Sequence, residues 1–214
     1  MSDESLMKSL TDAEAIITNS HIVYTSGRHG SDYFNKDALY VNPKLMNALT
    51  YRMAKPFQGK SIDVVAGPTI GGVILSQWVA WHLSPRTKSF TAAVFAEEEV
   101  ADNEKIRIFK RGYDAYIPNK NVLIVEDVLN TGGSIKKVVE AVTALGGNIV
   151  GATVICNRGG VTAQEIGVER LFELVSVSME SWPEESCPLC EKNIPIETSV
   201  GKGAAFLTRK GITN

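Results

Sequence analysis

The chain has 214 residues, and its 22 Lys and Arg against 24 Asp and Glu give a formal net charge of −2. This balance indicates neither nonspecific nucleic-acid binding nor attraction to an anionic membrane, and no apolar stretch approaches the roughly 20 residues of a membrane span. The acidic N-terminal segment lacks the pattern of a secretory signal, and three cysteines make no disulfide framework. We therefore expect one domain over 1–214 in a reducing cytoplasm.

Apolar periodicity predicts helices and strands that alternate along the chain. A helical stripe predicts an N-terminal helix over 6–17, and Pro43 suits the first turn of a second helix, where its missing N–H costs nothing. The alternation predicts an α/β fold, with a central, mainly parallel sheet flanked by helices. The predicted strands cover 62–66, 90–96, 122–125, 149–156 and 171–177, and two further helices cover 72–83 and 134–145.

The most informative segment is 122–134, VLIVEDVLNTGGS. Four apolar residues typical of a buried parallel strand lead to the acidic pair Glu126 and Asp127, and a Gly-rich turn at 131–134 then opens an amphipathic helix. The turn's backbone N–H groups and the helix dipole favour a phosphate, whereas the carboxylates suit ribose hydroxyls or a bridging Mg²⁺. A ribose 5-phosphate that carries further phosphate satisfies both halves.

The segment resembles the phosphoribosyl diphosphate (PRPP) motif of type I phosphoribosyltransferases: apolar strand, acidic pair, then a T-G-G-[ST] turn. The resemblance implies that Glu126 and Asp127 hold the ribose 2′- and 3′-hydroxyls, with Asp127 among the catalytic residues. A second loop, GPTIGG at 67–72, resembles the loop that contacts pyrophosphate in these enzymes. The further PRPP-binding residues implied in these two loops are Asn130, Thr131, Gly132, Gly133, Ser134, Thr69, Gly71 and Gly72.

The segment 22–40 resembles the substrate hood of the orotate branch of this family. The resemblance implies a type I phosphoribosyltransferase fold with an N-terminal helix and hood over 1–42, a flexible catalytic loop over 97–113 and a C-terminal tail over 179–214. The orotate-binding residues that it implies are Phe34, Asn35, Lys36 and Arg158. Arg158 follows a predicted strand, and its guanidinium can bind a carboxylate in a bidentate fork.

The reaction implied is orotate + PRPP ⇌ orotidine 5′-monophosphate + pyrophosphate. The resemblance further implies Mg²⁺ held through PRPP and water rather than by protein ligands, and a homodimer with neither nucleic-acid nor membrane partners. Two alternatives stay open: a transferase for a purine or another base, and a PRPP-sensing regulator without turnover.

The charged segment between the second and third predicted strands indicates a mobile loop or a β-ribbon that acts as a lid. Its second half carries four cations, Lys105, Arg107, Lys110 and Arg111. By resemblance, Lys110 and Arg111 align with paired catalytic cations. Such cations would neutralise the leaving pyrophosphate while the lid excludes water. The segment contains no histidine, so no proton donor is identified.

Cys187 and Cys190 form a CxxC pair, which supplies two of the four ligands of a zinc site. No second such motif and no histidine close in the sequence completes a site. The favoured interpretation is a structural tail, and a zinc site shared between two subunits stays open. The histidines His21, His29 and His82 are scattered; His82 is interpreted as structural and His29 as a weak loop candidate.

Overall fold

The computed structural model describes residues 3–84 and 90–212, so 1–2 of the predicted hood and 213–214 of the predicted tail lie outside the described residues. Two compact units are present, one of Met1–Asn42 with Ser178–Asn214 and one of Pro43–Val177. In chain order the elements are α1 (Asp3–Asp12), β1 (Ile16–Ile17), β2 (Ile22–Val23), β3 (His29–Gly30), β4 (Tyr33–Phe34), α2 (Asp37–Tyr40), α3 (Pro43–Ala54), β5 (Val64–Pro68), α4 (Gly71–Leu83), β6 (Ala92–Ala101), β7 (Glu104–Ile108), β8 (Asn121–Leu129), α5 (Gly133–Ala144), β9 (Asn148–Asn157), β10 (Leu171–Ser176), α6 (Pro188–Glu191) and α7 (Gly203–Arg209).

The larger unit is built on a six-stranded sheet in the order β10-β9-β8-β5-β6-β7. Neighbouring strands are parallel, except that β6 and β7 form an antiparallel hairpin at the edge. The predicted α/β class and the mainly parallel sheet are therefore confirmed. Because β5, β8 and β9 run in the same direction, the loops that follow them meet at one edge of the sheet, where ligands of open α/β sheets bind.

The central strand β8 is buried along most of its length. Val122, Leu123, Ile124 and Val125 are all fully buried, as a strand covered on both faces requires. The apolar residues at helical spacing on α5 pack with β8 in one buried hydrophobic cluster. This cluster also contains residues of β5, β6 and β9. This packing fixes β8 and the start of α5, and therefore the position of the turn between them.

The predicted helix over 6–17 is wrong in its second half. Leu6 and Leu10 are buried on α1 as predicted, but the helix ends at Asp12 and Glu14 has a positive φ of 54°. The chain then enters β1, which pairs with β4 in an antiparallel ladder. The β-branched residues of β1 fit the apolar spacing of the predicted helix. They favour a strand, and their pairing with β4 decides the structure here.

The segment predicted as a loop or ribbon over 97–113 contains the β6–β7 hairpin. Its pairing continues to Ala101 and Glu104, so only Asp102 and Asn103 form the turn. Both have positive φ values, 51° and 64°, as the favoured two-residue hairpin turns require. The predicted β-ribbon is therefore present over 97–108.

The smaller unit joins the hood to the tail. β2 pairs with β3, and a β-bridge links His29 of β3 to Trp182 of the tail. The sequence spacing took account only of histidines close to the CxxC pair. These backbone pairings bring His21 and His29, more than 150 positions away in the sequence, into one cluster with Cys187 and Cys190. Within 3–84 and 90–212, each helix is too short or too polar to span a membrane.

Candidate active site

The acidic pair lies near the carboxyl end of β8. Glu126 and Asp127 are 6% and 3% exposed. The Asp127 backbone N–H donates to Glu126 Oε1 at 3.0 Å, and the Val128 N–H donates to Asp127 Oδ1 at 2.7 Å. Buried carboxylates are stable only when hydrogen-bonded, and these bonds also fix their orientation. The pair is thus a preformed set of acceptors at the ligand-binding edge of the sheet.

The turn after β8 leads through a left-handed glycine into a helix N-terminus. Gly132 adopts a left-handed φ of 72° and precedes α5, a helix of 12 residues. The Gly133 N–H lies 3.4 Å from Thr131 Oγ1. Ser134 stands in the first turn of α5, where N–H groups without helical acceptors point outward. The predicted phosphate turn is therefore placed directly beside the acidic pair.

Gly132→Ala is expected to lower the free energy of unfolding by about 2–4 kcal/mol, because the left-handed φ is unfavourable for alanine and the new methyl overlaps its neighbours. A Cβ here would lie 2.8 Å from Ile166 Cγ2 and 2.9 Å from Val161 Cγ1. Urea unfolding followed by circular dichroism measures the loss. Gly146→Ala is the control, since Gly146 has a φ of 75° with open space around it. Equal losses in the two variants would show that packing around the turn relaxes freely.

The loop after β5 is built on two glycines in direct contact. A Cβ on Gly67 would lie 2.7 Å from Gly72 Cα, and a Cβ on Gly72 would lie 2.7 Å from Gly67 Cα. The Thr69 N–H donates to the Ala96 carbonyl at 3.0 Å, and the Thr69–Ile70 peptide is cis. Gly71 and Gly72 begin α4, so this loop also leads into a helix N-terminus.

Arg107, on β7, links these two loops. Its guanidinium donates to Thr69 Oγ1 at 3.0 Å and to Ser134 Oγ at 3.1 Å, and it lies 3.5 Å from Glu98 Oε2. The side chain is only 9% exposed. A cation held between the two phosphate-type loops is the arrangement that a substrate with phosphates at both ends of a ribose would need.

Lys110 and Arg111, the two cations predicted to be catalytic, pair with acidic residues of β6. Lys110 Nζ lies 2.6 Å from Glu99 Oε2, and Arg111 Nε donates to Glu97 Oε1 at 2.9 Å. The hydrogen bond that Lys110 donates to the Glu99 carboxylate raises the pKa of Lys110. Both pairs are solvent-exposed, so they are weak, and an anionic ligand can compete for the cations.

Arg158 follows β9 at the same edge. Its N–H donates to the Leu129 carbonyl at 2.8 Å, and the Gly159 N–H donates to the same oxygen at 3.1 Å. A Cβ on Gly159 would fall 1.7 Å from the Asn130 carbonyl oxygen, so only glycine fits here. The backbones on either side of Asn130 and Arg158 are therefore packed together, which brings both residues to the acidic pair's end of the sheet.

The three predicted orotate contacts Phe34, Asn35 and Lys36 belong to the smaller unit. Phe34 is buried on β4, and the Asn35 N–H donates to the Ala15 carbonyl at 2.7 Å. Lys36 is half-buried and precedes α2. Burial therefore holds Phe34, and a backbone hydrogen bond holds Asn35, within the hood.

Arg107 is the site residue that the sequence prediction passed over in favour of Lys110 and Arg111. The sequence contained an indication of this residue in the alternation of side chains along a strand, because residues two apart share a face. Once the segment is read as a ribbon, Lys105 and Arg107 fall on one side of β7. Which side faced the phosphate loops depended on the pairing register, which the sequence pattern did not fix.

The sheet with its ligand edge, acidic pair and two Gly-rich loops defines a phosphoribosyltransferase. A family model described as the phosphoribosyl transferase domain matches residues 35–188, and the chain belongs to this family. Among its relatives, orotate phosphoribosyltransferase of Thermoanaerobacter sp. (strain X514) is 36% identical over 182 residues, covering 85% of this chain and 88% of the relative. The enzyme of that name from Desulforamulus reducens is 33% identical over 195 residues, covering 91% and 95%.

Solved structures confirm the type I fold. Orotate phosphoribosyltransferase from Aeropyrum pernix superposes with a TM-score of 0.62 at 22% identity, covering 80% of this chain and 93% of that chain. Adenine phosphoribosyltransferase from Rhodothermus marinus gives a TM-score of 0.61 at 19% identity, covering 81% and 99%. Enzymes for a pyrimidine acid and for a purine share this fold, so the fold does not choose the base.

Proposed function

We propose that this protein is an orotate phosphoribosyltransferase, which transfers the phosphoribosyl group of PRPP to orotate and releases pyrophosphate. The observation that carries the proposal is the buried acidic pair directly before a phosphate-type turn, in a chain whose relatives at 33% and 36% identity are named for this activity. The acidic pair and the turn support PRPP as the phosphoribosyl donor. The names of the relatives support orotate as the base that accepts the group.

In this proposal PRPP lies along the carboxyl edge of the sheet. The turn from Asn130 to Ser134 binds the 5′-phosphate with backbone N–H groups, and Glu126 and Asp127 accept hydrogen bonds from the ribose hydroxyls. Thr69, Gly71 and Gly72 face the pyrophosphate. Substrate phosphates would then replace the hydroxyl contacts of Arg107, and the arginine would bridge the two ends of the donor.

The chain's main chemical task is electrostatic. As the bond from C1 of the ribose to pyrophosphate breaks, positive charge develops on the ribose and negative charge on the leaving group. The Asp127 carboxylate would stabilise the ribose, and Arg107, Lys110 and Arg111 would stabilise the pyrophosphate. Mg²⁺, when bound, supplies further neutralisation of the pyrophosphate. Buried carboxylates that accept from hydroxyls or metal-bound water fit a cation held through PRPP.

Orotate would be held by its carboxylate and its ring edge rather than by aromatic stacking. Arg158 offers a bidentate donor for the carboxylate. Phe34, Asn35 and Lys36 are proposed as ring contacts on the resemblance of segment 22–40 to the orotate hood. Ultraviolet absorbance of orotate with PRPP, Mg²⁺ and the protein tests the function. A decrease that pyrophosphate reverses would support the proposal, whereas turnover of adenine with no change in orotate would replace it by the purine alternative. PRPP binding without turnover of any base would favour the sensor alternative.

Arg158→Ala is expected to raise the KM for orotate by about 10²-fold, because a charge-assisted bidentate contact contributes about 2–3 kcal/mol. The KM for PRPP should change little. Steady-state kinetics with each substrate varied in turn measures the split. Arg170→Ala is the matched control, since the Arg170 guanidinium lies 5.3 Å from the Phe57 ring rather than in the site. A similar rise for PRPP and orotate would assign Arg158 to the donor.

We also propose a homodimer of the cytoplasm that binds neither nucleic acid nor membranes. The formal net charge of −2 supports the proposal that the protein binds neither nucleic acid nor membranes. Two large aromatic side chains, Trp81 and Phe90, are 70% and 71% exposed and line a groove of about 490 Å³ on the larger unit. Aromatic exposure of this kind is typical of subunit interfaces. Light scattering of the untagged protein during gel filtration would give the mass, and a monomer at micromolar concentration would contradict the proposal.

A further inference from the structure

We propose that His21, His29, Cys187 and Cys190 form a tetrahedral Zn²⁺ site that fastens the hood to the C-terminal tail. All four residues belong to the smaller unit, and one ligand atom from each lies within 4.8 Å of the others. The inference does not depend on the proposed transferase activity, because none of the four residues has a role there.

The distances match a single small metal ion. Cys187 Sγ and Cys190 Sγ each lie 3.7 Å from His21 Nε2, and Cys190 Sγ lies 3.3 Å from His29 Nδ1. A tetrahedral zinc centre with Zn–S of about 2.3 Å and Zn–N of about 2.0 Å separates its ligand atoms by about 3.3–3.8 Å. The two histidine nitrogens are 2.9 Å apart, so they would move apart by only a few tenths of an ångström.

The site has a polar contact that selects the ligand atom of His21. The His21 Nδ1 lies 2.7 Å from the Ile194 carbonyl oxygen, which can only accept a hydrogen bond. Nδ1 therefore carries the proton, and the lone pair of Nε2 faces the two sulfurs. A backbone carbonyl that fixes the tautomer of a histidine ligand is a regular part of zinc sites.

His29 would bind through Nδ1 and carry its proton on Nε2. Its ring is fully buried and packs T-shaped on Phe206, with the ring centroids 5.0 Å apart. Cys187 and His21 are also buried, and Cys190 is half-buried. Such a dry site with four protein ligands is typical of structural rather than catalytic zinc, which keeps an open position.

Backbone pairing holds the ligands in place. His29 exchanges two hydrogen bonds with Trp182, each of 2.8 Å, five residues before Cys187. The His21 carbonyl accepts from the Glu197 N–H at 2.9 Å, on the other side of the CxxC pair. Pairings on both sides of the CxxC segment bring it to the two histidines without depending on the metal alone.

The chemistry of the donor set selects the metal. Two thiolates and two imidazoles in a tetrahedral arrangement suit Zn²⁺, whereas Mg²⁺ prefers oxygen ligands. Binding converts two thiols to thiolates and releases two protons to solvent, so the neutral centre has no uncompensated charge in a buried place.

The first test is the metal content of the full-length, untagged protein purified without chelator. Plasma mass spectrometry should find about one zinc per chain, with less than about 0.1 in Cys187→Ser and in Cys190→Ser. Cys156→Ala is the control, because Cys156 is buried on β9 of the larger unit and should leave the zinc content unchanged. Absence of zinc, or equal zinc in all four proteins, would overturn the proposal.

A second test does not require the cysteine variants to fold. Zinc in the wild-type protein is removed by a chelator under reducing conditions and replaced by Co²⁺. Strong visible bands of tetrahedral Co²⁺ with a thiolate charge-transfer band are expected, and the Tm should fall on removal and recover with Co²⁺ or Zn²⁺. A weak octahedral spectrum, a Cys187–Cys190 disulfide in the purified protein, or a Tm indifferent to metal would each contradict a structural zinc site.

Discussion

Asp127→Asn is expected to lower kcat by about 10²- to 10³-fold, with little effect on stability, because in the proposed complex it removes one negative charge from beside the developing positive charge of the ribose. The asparagine carbonyl can still accept the Val128 N–H that Asp127 Oδ1 accepts at 2.7 Å. The side chain is almost fully buried, so solvent cannot replace the lost charge. Steady-state kinetics with PRPP and orotate both saturating gives kcat, and urea unfolding gives the stability.

Asp63→Asn is the matched control for this variant. Asp63 lies just before β5, and its Oδ2 accepts the Asn121 N–H at 2.9 Å at the start of β8. It is therefore a structural aspartate at the opposite end of the same strands. We expect less than about a twofold change in kcat, because no reacting atom is near. If the two variants lost activity equally, the loss from Asp127→Asn would reflect disturbance of the sheet and not removal of a charge from the site.

The elements whose position depends on local pattern were predictable from the sequence. The buried run of β8, the turn with Gly132 and the helix α5 each carry a signal within a few residues: an apolar run, a positive-φ glycine and a helical stripe. The parallel order of the strands followed from their alternation with helices. The same local signals placed Glu126 and Asp127 at the end of a buried strand, directly before the turn that opens α5.

Features that depend on distant pairing were not predictable. The end of α1 is decided by the β1–β4 ladder, in which Ile16 faces Phe34. The cluster of His21, His29, Cys187 and Cys190 depends on the β-bridge between His29 and Trp182. A single sequence gives the residue types of such contacts but not which partners meet, because strand register and tail docking are settled by the whole fold.

The β6–β7 hairpin shows the same division between local pattern and register. Its charge and a β-ribbon as one of two forms were predicted from the sequence, yet the residue that reaches both phosphate-type loops is Arg107 rather than Lys110. Three consecutive glutamates of β6 pair with cations across the hairpin or just beyond it. The exposed cations of the hairpin are therefore held in weak ion pairs. Phosphate groups of a ligand can take the place of the glutamates in these pairs without leaving a cation buried and unpaired.

Arg107→Ala is expected to lower kcat/KM for PRPP by about 10²-fold, because it removes a nearly buried cation from between the loops proposed to bind the two ends of the donor. Arg107→Lys should recover only part of this loss, since an ammonium group cannot bridge Thr69 Oγ1 and Ser134 Oγ in the guanidinium's fork. Kinetics at a series of PRPP concentrations, with orotate saturating, measures both variants.

Lys110→Ala tests whether Lys110 acts only after it moves to the bound substrate, in contrast to Arg107, which already contacts both phosphate-type loops. The Nζ of Lys110 is paired with the exposed Glu99 in the present conformation. We therefore expect kcat/KM for PRPP to fall by about tenfold, which is less than for Arg107→Ala. The contribution of Lys110 should also shrink as salt is raised, because exposed charges are screened. If instead Lys110→Ala costs more than Arg107→Ala, the hairpin must move on substrate binding so that Lys110 reaches the pyrophosphate. The contacts of Arg107 with Thr69 and Ser134 would then describe the resting hairpin rather than the catalytic one.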